Sequence, residues 1–571
     1  MGPAHIKTKF FISALILLFA CPLFSKNIAV MPFNNITEDK NNNWIGAAFS
    51  ETLASKISAI KEATVLEKEQ IYKLLDEIKF QKSGRVDEKK ALESVKSYGA
   101  GTIVFGSYHV KDGILRVSAK FVDAGTGNII GTSETFGSIF DIFKLQDEIV
   151  FDLADSLKIT PDEKEKEELK INPTENFAAY KYFSEGNEAA QLKLYDKAIE
   201  CYTNAAETCP ELAGAYFSRG LVYAKKELHG EAIEDYTKAI KLNPRDAQAY
   251  ASRGCSYGLK GLYDNAIIDF TIAININPGN AVVYTYRGFV YFEKNLYDEA
   301  IEDYSMAIEL NPLLAPAYCY RGNAYFGKRL DQKAAEDYTT AIELKPKYAD
   351  AYCGRGIVYA GRGLTDEAAK DFTKAIKYDP QLAAAYYNRG NTYADRRLYD
   401  DAIQDYGIAI EITPNYALAY FKRGASYGKK GLYKEAAADY LKSIELDPKF
   451  APAYYNLGNA CADRGLDNEA IKYYSKAIEL SPQYADAYCS RGAAYVNKGL
   501  PDEAAVDCNK AIELNPKFAL AYNTRGNAYY TKGLEKLCIS DWKKAADLGC
   551  EPAKQNLKKF YKIDYAAQSN Q

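Results

Sequence analysis

Histidine is scarce in this chain, with three residues among 571, and tryptophan is scarcer still with two. A chain so poor in imidazole has little material for histidine-based acid–base catalysis or for a histidine-rich metal site. No Cys-x-x-Cys occurs, and the cysteines show no zinc-like clustering. No Gly-x-x-x-x-Gly-Lys-Ser/Thr stretch exists. The glycine-containing Ala124–Asn128 segment therefore reads as a hairpin turn, not a phosphate loop. Net charge is close to zero, 72 basic against 76 acidic residues, so there is no global attraction to nucleic acid or to an anionic membrane. These absences leave no catalytic constellation and no cofactor or metal site to expect. The reading is of a non-enzymatic protein.

Long apolar runs are also missing, with one exception near the start. Lys7 and Lys9 precede FFISALILLFACPLF, Phe10 to Phe24, and Ser25 is a small residue at which a signal peptidase could cut. The run is shorter than the roughly 20 residues of a membrane span. Residues 1–25 are therefore expected to be a signal peptide. The LFAC of Leu18–Cys21 resembles a bacterial lipoprotein box, which would instead place a lipid on Cys21. Both readings make the protein exported, in the periplasm or associated with the outer membrane, and touching a membrane only through that anchor or through envelope partners. Ten cysteines follow, scattered over many positions and often where sister segments carry Ala, Tyr, Phe or Ser, which fits free thiols better than bridges.

Tyrosine is abundant, at 48 residues, and it recurs with a period. RGIVYAGRGLTDEAAKDFTKAIKYDP, from Arg355, returns 34 residues later as RGNTYADRRLYDDAIQDYGIAIEITP, from Arg389. With Gly356 at position 8, eleven units of 34 residues tile residues 179–552 without an insertion. Position 4 is Tyr and position 8 is Gly in every unit. Position 20 is Ala except at Cys538, position 27 is Ala except at Ser443, and position 32 is Pro except at Cys550. Tyr352, Gly356 and Tyr359 share one face of a first helix; Ala368, Phe372 and Ala375 make the matching stripe on a second. Six units place Gly at position 15, where a left-handed helix stop is wanted, and the proline ends the second helix.

Tyr-x-x-Arg-Gly-x-x-Tyr, then Ala-x-x-x-Tyr/Phe, then Pro, at period 34, resembles the tetratricopeptide repeat. The resemblance covers 374 of 571 residues. It implies a right-handed superhelix of helix-turn-helix units whose first helices line a concave groove that binds extended peptides or partner proteins. It further implies that positions 2, 5, 9, 12 and 13 face that groove. Asn187, Asn323, Asn391, Asn459 and Asn527 occupy position 9, where an amide could clamp a peptide backbone. Phe183, Phe217, Phe289, Phe292, Phe326, Tyr387, Phe421, Tyr455 and Tyr530 would add apolar contacts in the same groove.

Position 7 is Arg and position 23 is Asp in the same nine units. The pairs are Arg219–Asp235, Arg253–Asp269, Arg287–Asp303, Arg321–Asp337, Arg355–Asp371, Arg389–Asp405, Arg423–Asp439, Arg491–Asp507 and Arg525–Asp541. Repeat 1 loses both partners together, to Glu185 and Cys201, and repeat 9 to Leu457 and Tyr473. Joint loss predicts a structural bridge inside each repeat, partly buried and forked, with the carboxylate leaving no arginine free for phosphate or nucleic acid.

Ahead of the repeats the pattern is mixed. Strands are predicted at 27–33, 63–67, 101–110, 114–123 and 128–137, and helices at 43–60, 68–78, 87–99 and 140–159. This order resembles the amino-terminal domain of TolB and the related CsgG and FlgO-type domains, which implies an α/β interaction domain of the bacterial cell envelope. The expected organisation is a signal peptide at 1–25, an α/β domain at 26–158 and a charged linker at 159–178. Eleven repeats follow at 179–552, with a capping helix and tail at 553–571. The function expected is an exported scaffold for envelope assembly. A regulatory subunit of an envelope or cell-wall enzyme or secretion machine is the alternative. A repeat-bearing protein glycosyltransferase is less favoured, because only about 130 residues remain for a catalytic domain.

Overall fold

A computed structural model describes residues 26–37, 39–66, 70–71, 88–95 and 98–563. The expected signal peptide, Cys21 and most of the helix expected at 68–78 lie outside the described residues. The chain forms two compact units, Met1–Lys328 and Arg329–Gln571, which divide inside the repeat array.

The α/β domain at the start of the first unit is built on one sheet. Strands β1 (Lys26–Val30), β2 (Asn34–Asn35), β3 (Ala63–Val65), β4 (Thr102–Lys111), β5 (Ile114–Asp123) and β6 (Ile129–Ser138) take the order β3-β1-β4-β5-β6, with β2 also on β4. The β1 pairings and the β2–β4 pairing are parallel, while β4-β5-β6 is an antiparallel meander. Asp112 and Gly113 both have positive φ, 52° and 77°, as a two-residue hairpin turn requires. Helices α1 (Trp44–Ser58) and α3 (Ile142–Ser156) bury Ile45, Phe49, Leu53, Ile149 and Leu153 in one core, while Ala91 and Val95 of α2 (Glu88–Val95) join a second.

The stretch expected as a charged linker is packed. Its helix α4 (Glu163–Leu169) starts from a reciprocal capping box between Asp162 and Glu165. Ile159 and Leu169 are buried in the domain core, and Glu165 accepts from the Lys61 backbone N–H at 2.9 Å. Charge density suggested solvent, yet the apolar residues at the ends of the segment anchor it.

Eleven helix pairs follow, from Phe177–Gln191 with Tyr195–Thr208 to Ala519–Thr531 with Glu535–Asp547. The architecture is an α/β domain followed by an all-helical solenoid. The glycine at position 8 is demanded by packing. A Cβ on Gly356 would lie 2.7 Å from the Phe372 ring, and one on Gly458 would lie 2.5 Å from the Tyr474 ring. Within each unit the first helices of successive repeats touch one another, forming a continuous row.

Position 15 is left-handed throughout, including the five repeats without glycine: Lys193, Glu227, Asn295, Arg329 and Arg397 have φ between 59° and 62°. The following Leu N–H bonds back to the position-11 carbonyl, as Leu228 does to Tyr223 at 2.9 Å, and this closes the helix end. The turn geometry is thus dictated by the array, with glycine only easing it. Arg397→Gly should therefore stabilise the protein by about 1 kcal/mol, seen as a raised urea midpoint at unchanged m-value.

Candidate functional site

The first repeat is fused to the α/β domain. Tyr180, on its first helix, is buried in the domain core. Its hydroxyl donates to the Ala48 carbonyl at 3.1 Å, accepts from Gln146 Nε2 at 3.0 Å and lies 2.7 Å from Thr52 Oγ1. Burial pushes this phenol up to about 12, which keeps it protonated and able to donate. Lys56, 3% exposed, ties α1 to Asp147, Asn172 and the Leu169 carbonyl.

In eight of the nine arginine repeats both partners lie in one unit, and there each guanidinium grips its own aspartate. Arg389 Nε and Nη2 donate to Asp405 Oδ2 and Oδ1, both at 2.8 Å, and Arg491 does the same to Asp507 at 2.7 Å. Arg219, Arg253, Arg287, Arg355, Arg423 and Arg525 repeat the fork. Arg321 and Asp337 fall on opposite sides of the unit division. The hydrogen bonds that Arg219 donates to Asp235 hold its guanidinium above its ordinary range. Burial raises Asp303 above the usual carboxylate range despite the opposing pull of Arg287. Tyrosines at positions 4 and 11 flank the cation; Tyr352 and Tyr359 each lie 5.7 Å from Arg355.

The third arm of the arginine does something the sequence reading missed. Arg219 Nη1 donates to Thr203 Oγ1 of the preceding repeat at 2.9 Å. Arg253 reaches Thr237, Arg287 reaches Thr271, Arg321 reaches Ser305, Arg355 reaches Thr339, Arg389 reaches Thr373, Arg491 reaches Ser475 and Arg525 reaches Asn509. The hydroxyls themselves donate to the carbonyl four residues back, as Thr203 does to Ile199 at 2.8 Å, so their oxygen is left to accept. The bridge therefore closes each repeat and also bolts it to the one before. Its signal was legible as Thr/Ser, Arg and Asp at i, i+16 and i+32. Arg423 differs: its preceding repeat offers Gly407, where a Cβ would sit 3.7 Å from Nη1.

The position-9 asparagines are partly spent on structure. Tyr406 Oη donates to Asn391 Oδ1 and Tyr474 Oη to Asn459 Oδ1, each at 2.8 Å. Tyr202 makes the same bond to Asn187 at 2.7 Å. Two of the five depart from the expected clamp. Asn187 is buried and bonds to Glu51 of the α/β domain, while Asn527 accepts from Trp542 Nε1 at 3.0 Å and from Asn556 of the C-terminal cap helix (Glu551–Tyr561) at 3.2 Å. These end positions are consumed by what seals the array. Asn323 is half-buried and engaged in its own contacts. The sequence signal was again a pairing, because all five asparagines precede a Tyr or Trp fifteen residues on. Where position 9 is Leu221, the Tyr236 hydroxyl is buried with no partner.

The aromatic set divides likewise. Phe289 is 3% exposed, a core residue beside Val290, and not a groove contact. Phe183 and Phe217 pack on Tyr202 and Tyr236, Phe292 on Tyr297, and Phe326 is half-buried. Tyr530 is exposed but stacks 4.7 Å from Phe560 of the cap helix. Repeats 7, 8 and 9 carry three equivalent clusters: Tyr387 on Tyr406 and Tyr416, Phe421 on Tyr440 and Phe450, and Tyr455 on Tyr474 and Tyr484, with centroids 4.9–5.9 Å apart. The three leading rings are half-buried on consecutive first helices, so each keeps part of its surface open. Of the ten cysteines in the repeats, nine are buried and Cys209 is half-buried; none is in a disulfide, and burial pushes the Cys489 thiol up to about 12. Among the described residues no three His, Cys, Asp or Glu side chains converge as a metal site would need.

Two hydroxyl tests follow from this bonding. Tyr236→Phe should raise stability by about 1 kcal/mol by removing an unpaired buried hydroxyl, whereas Tyr406→Phe should lower it by a similar amount, both read from urea unfolding. Gly407→Thr should stabilise by about 1 kcal/mol and surpass Gly407→Ala despite the poorer helix propensity of threonine, because only the hydroxyl can receive Arg423.

Models of the "TPR repeat" match residues 186–227, 288–328, 331–363, 361–396, 398–431, 429–465 and 458–499. Models of the "Tetratricopeptide repeat" match 213–246, 247–280 and 485–518. Among solved structures the chain is similar to MamA (32% identity, covering 29% of this chain and 96% of that one, TM-score 0.28). It is also similar to YrrB, titled a TPR protein with an unusual peptide-binding site (26%, 33% and 96%, TM-score 0.31). A third is pilF of Pseudomonas aeruginosa (19%, 36% and 94%, TM-score 0.34). No curated protein matches the chain.

Proposed function

Since the chain belongs to the tetratricopeptide repeat family, which makes it a protein-interaction scaffold, we propose that its ligand is an extended segment of a partner protein held by repeats 7–9. The carrying observation is the threefold aromatic cluster at Tyr387, Phe421 and Tyr455 on consecutive first helices. A row of half-buried rings offers apolar side chains contact area at small entropic cost. Asn391 and Asn459 flank the rings, and with their carbonyls held by tyrosine hydroxyls each amide is set to donate. A peptide carbonyl is the natural acceptor.

The scaffold is proposed to be non-enzymatic and exported, working in cell-envelope assembly. The apolar run of residues 10–24 and the envelope-type order of the α/β domain support that placement. The domain and first repeat share a core, so partners of the domain would be held at a fixed register from the start of the array.

A photo-reactive phenylalanine analogue placed in living cells at 387, 421 or 455 should cross-link one shared set of partners. The same residue at exposed Lys472, on a second helix, should not. Cross-links from position 472 with none from the ring positions would overturn the groove assignment. Fractionation of the same cells checks the export reading, since a wholly cytoplasmic distribution contradicts it.

A further inference from the structure

Successive repeats are joined by two recurrent polar tethers. One is the bolt from the arginine third arm to the residue at position 25 of the preceding repeat, present at eight of the ten joints. The other crosses the rim, from position 14 of one repeat to position 18 of the repeat before. Examples are Lys226 to Asp196, Lys294 to Asp264, Lys328 to Asp298, Arg396 to Asp366, Lys430 to Asp400 and Lys532 to Asp502. Arg362 to Gln332 and Lys498 to Asn468 are neutral versions of the same contact. Repeats 2 and 3 lack the rim tether, since position 230 is glycine, but keep the Arg253 bolt. Repeats 7 and 8 lack the bolt but keep Lys430 to Asp400.

The joint between repeats 8 and 9 has neither. The bolt positions are Leu441 and Leu457, with Tyr473 where the aspartate stands elsewhere, and the rim positions are Lys434 and Arg464, two cations in register. Apolar packing remains: Leu457 is buried with Ala436, Ala437, Tyr440 and Cys461. The first helix of repeat 9 is also one residue shorter than those of repeats 8 and 10, 12 against 13.

We propose that the joint between repeats 8 and 9 is a built-in hinge of the second unit. Hydrogen bonds are directional and hold two helices in one register, whereas apolar side chains keep contact while they slide, which is the physical basis of shear motion. At this joint both recurrent tethers are gone, leaving a long 3.4 Å hydrogen bond from Tyr454 Oη to the Pro448 carbonyl, and the slippery contacts are kept. Like charges at the rim oppose closure on that side. The hinge lies between Phe421 and Tyr455, so its movement changes the spacing of those rings, and it stands whether or not a peptide occupies them.

Hydrogen exchange on the full-length protein tests this. Backbone amides of residues 441–457 should exchange about tenfold faster than those of 475–491, the bolted joint next along. Fraying from the C-terminus would give the opposite order, since 475–491 lies nearer the end. Equal or slower exchange at 441–457 overturns the hinge. Leu441→Thr with Leu457→Arg and Tyr473→Asp installs the missing bolt and should bring the two segments within about twofold. Unchanged exchange in a folded triple variant also overturns it. Should that variant lose helicity, Lys434→Asp alone restores the rim tether to Arg464 and should slow exchange about threefold, no slowing counting against the proposal.

Discussion

A guanidinium has enough donors to serve two masters, and this solenoid is organised around that fact. In seven repeats, as at Arg219, two nitrogens of the position-7 arginine fork onto an aspartate of the same repeat while the third reaches a side-chain oxygen of the repeat before. The Thr203 hydroxyl donates its own hydrogen bond to a helix carbonyl, so the network links backbone, threonine, arginine and aspartate. Every polar group in it is answered, which is what allows a charge pair to sit largely buried between helices. Lysine could not replace the arginine, because a point charge cannot hold a planar fork and a sideways bond together.

The repeat frame, the helix pairs and the arginine–aspartate pairing were legible because each leaves a mark at fixed spacing. The meander was legible from alternation and from Asp112-Gly113. What escaped was whatever joins one unit of pattern to another. The hydroxyl sixteen residues before seven of the nine arginines looked like an ordinary polar position on a second helix, since its role exists only once a neighbour is stacked beside it. The residues from 159 to 178 looked like linker because their charges outnumber the few apolar anchors that decide their place.

The candidate site was legible in type more than in detail. A row of asparagines at one position suggested a clamp, but the identity of the residue fifteen positions later decides what each amide can still do. Tyr406 and Tyr474 orient Asn391 and Asn459, while Glu51 and Asn556 draw the first and last members of the row into the two ends. Phe289 at position 9 and Phe421 at position 5 were both expected in the groove, and burial separates the core ring from the half-buried one.

Tyr180 belongs at once to the α/β core and to the first repeat, and Phe560 closes the other end against Tyr530 and Trp542. Neither end of the repeat array can take an additional repeat without displacing a shared side chain. The 34-residue register of the internal network, by contrast, survives the insertion or loss of a whole interior repeat. Lineages of this molecule can therefore lengthen or shorten only from the middle, by duplication or loss of interior units between two immovable bookends.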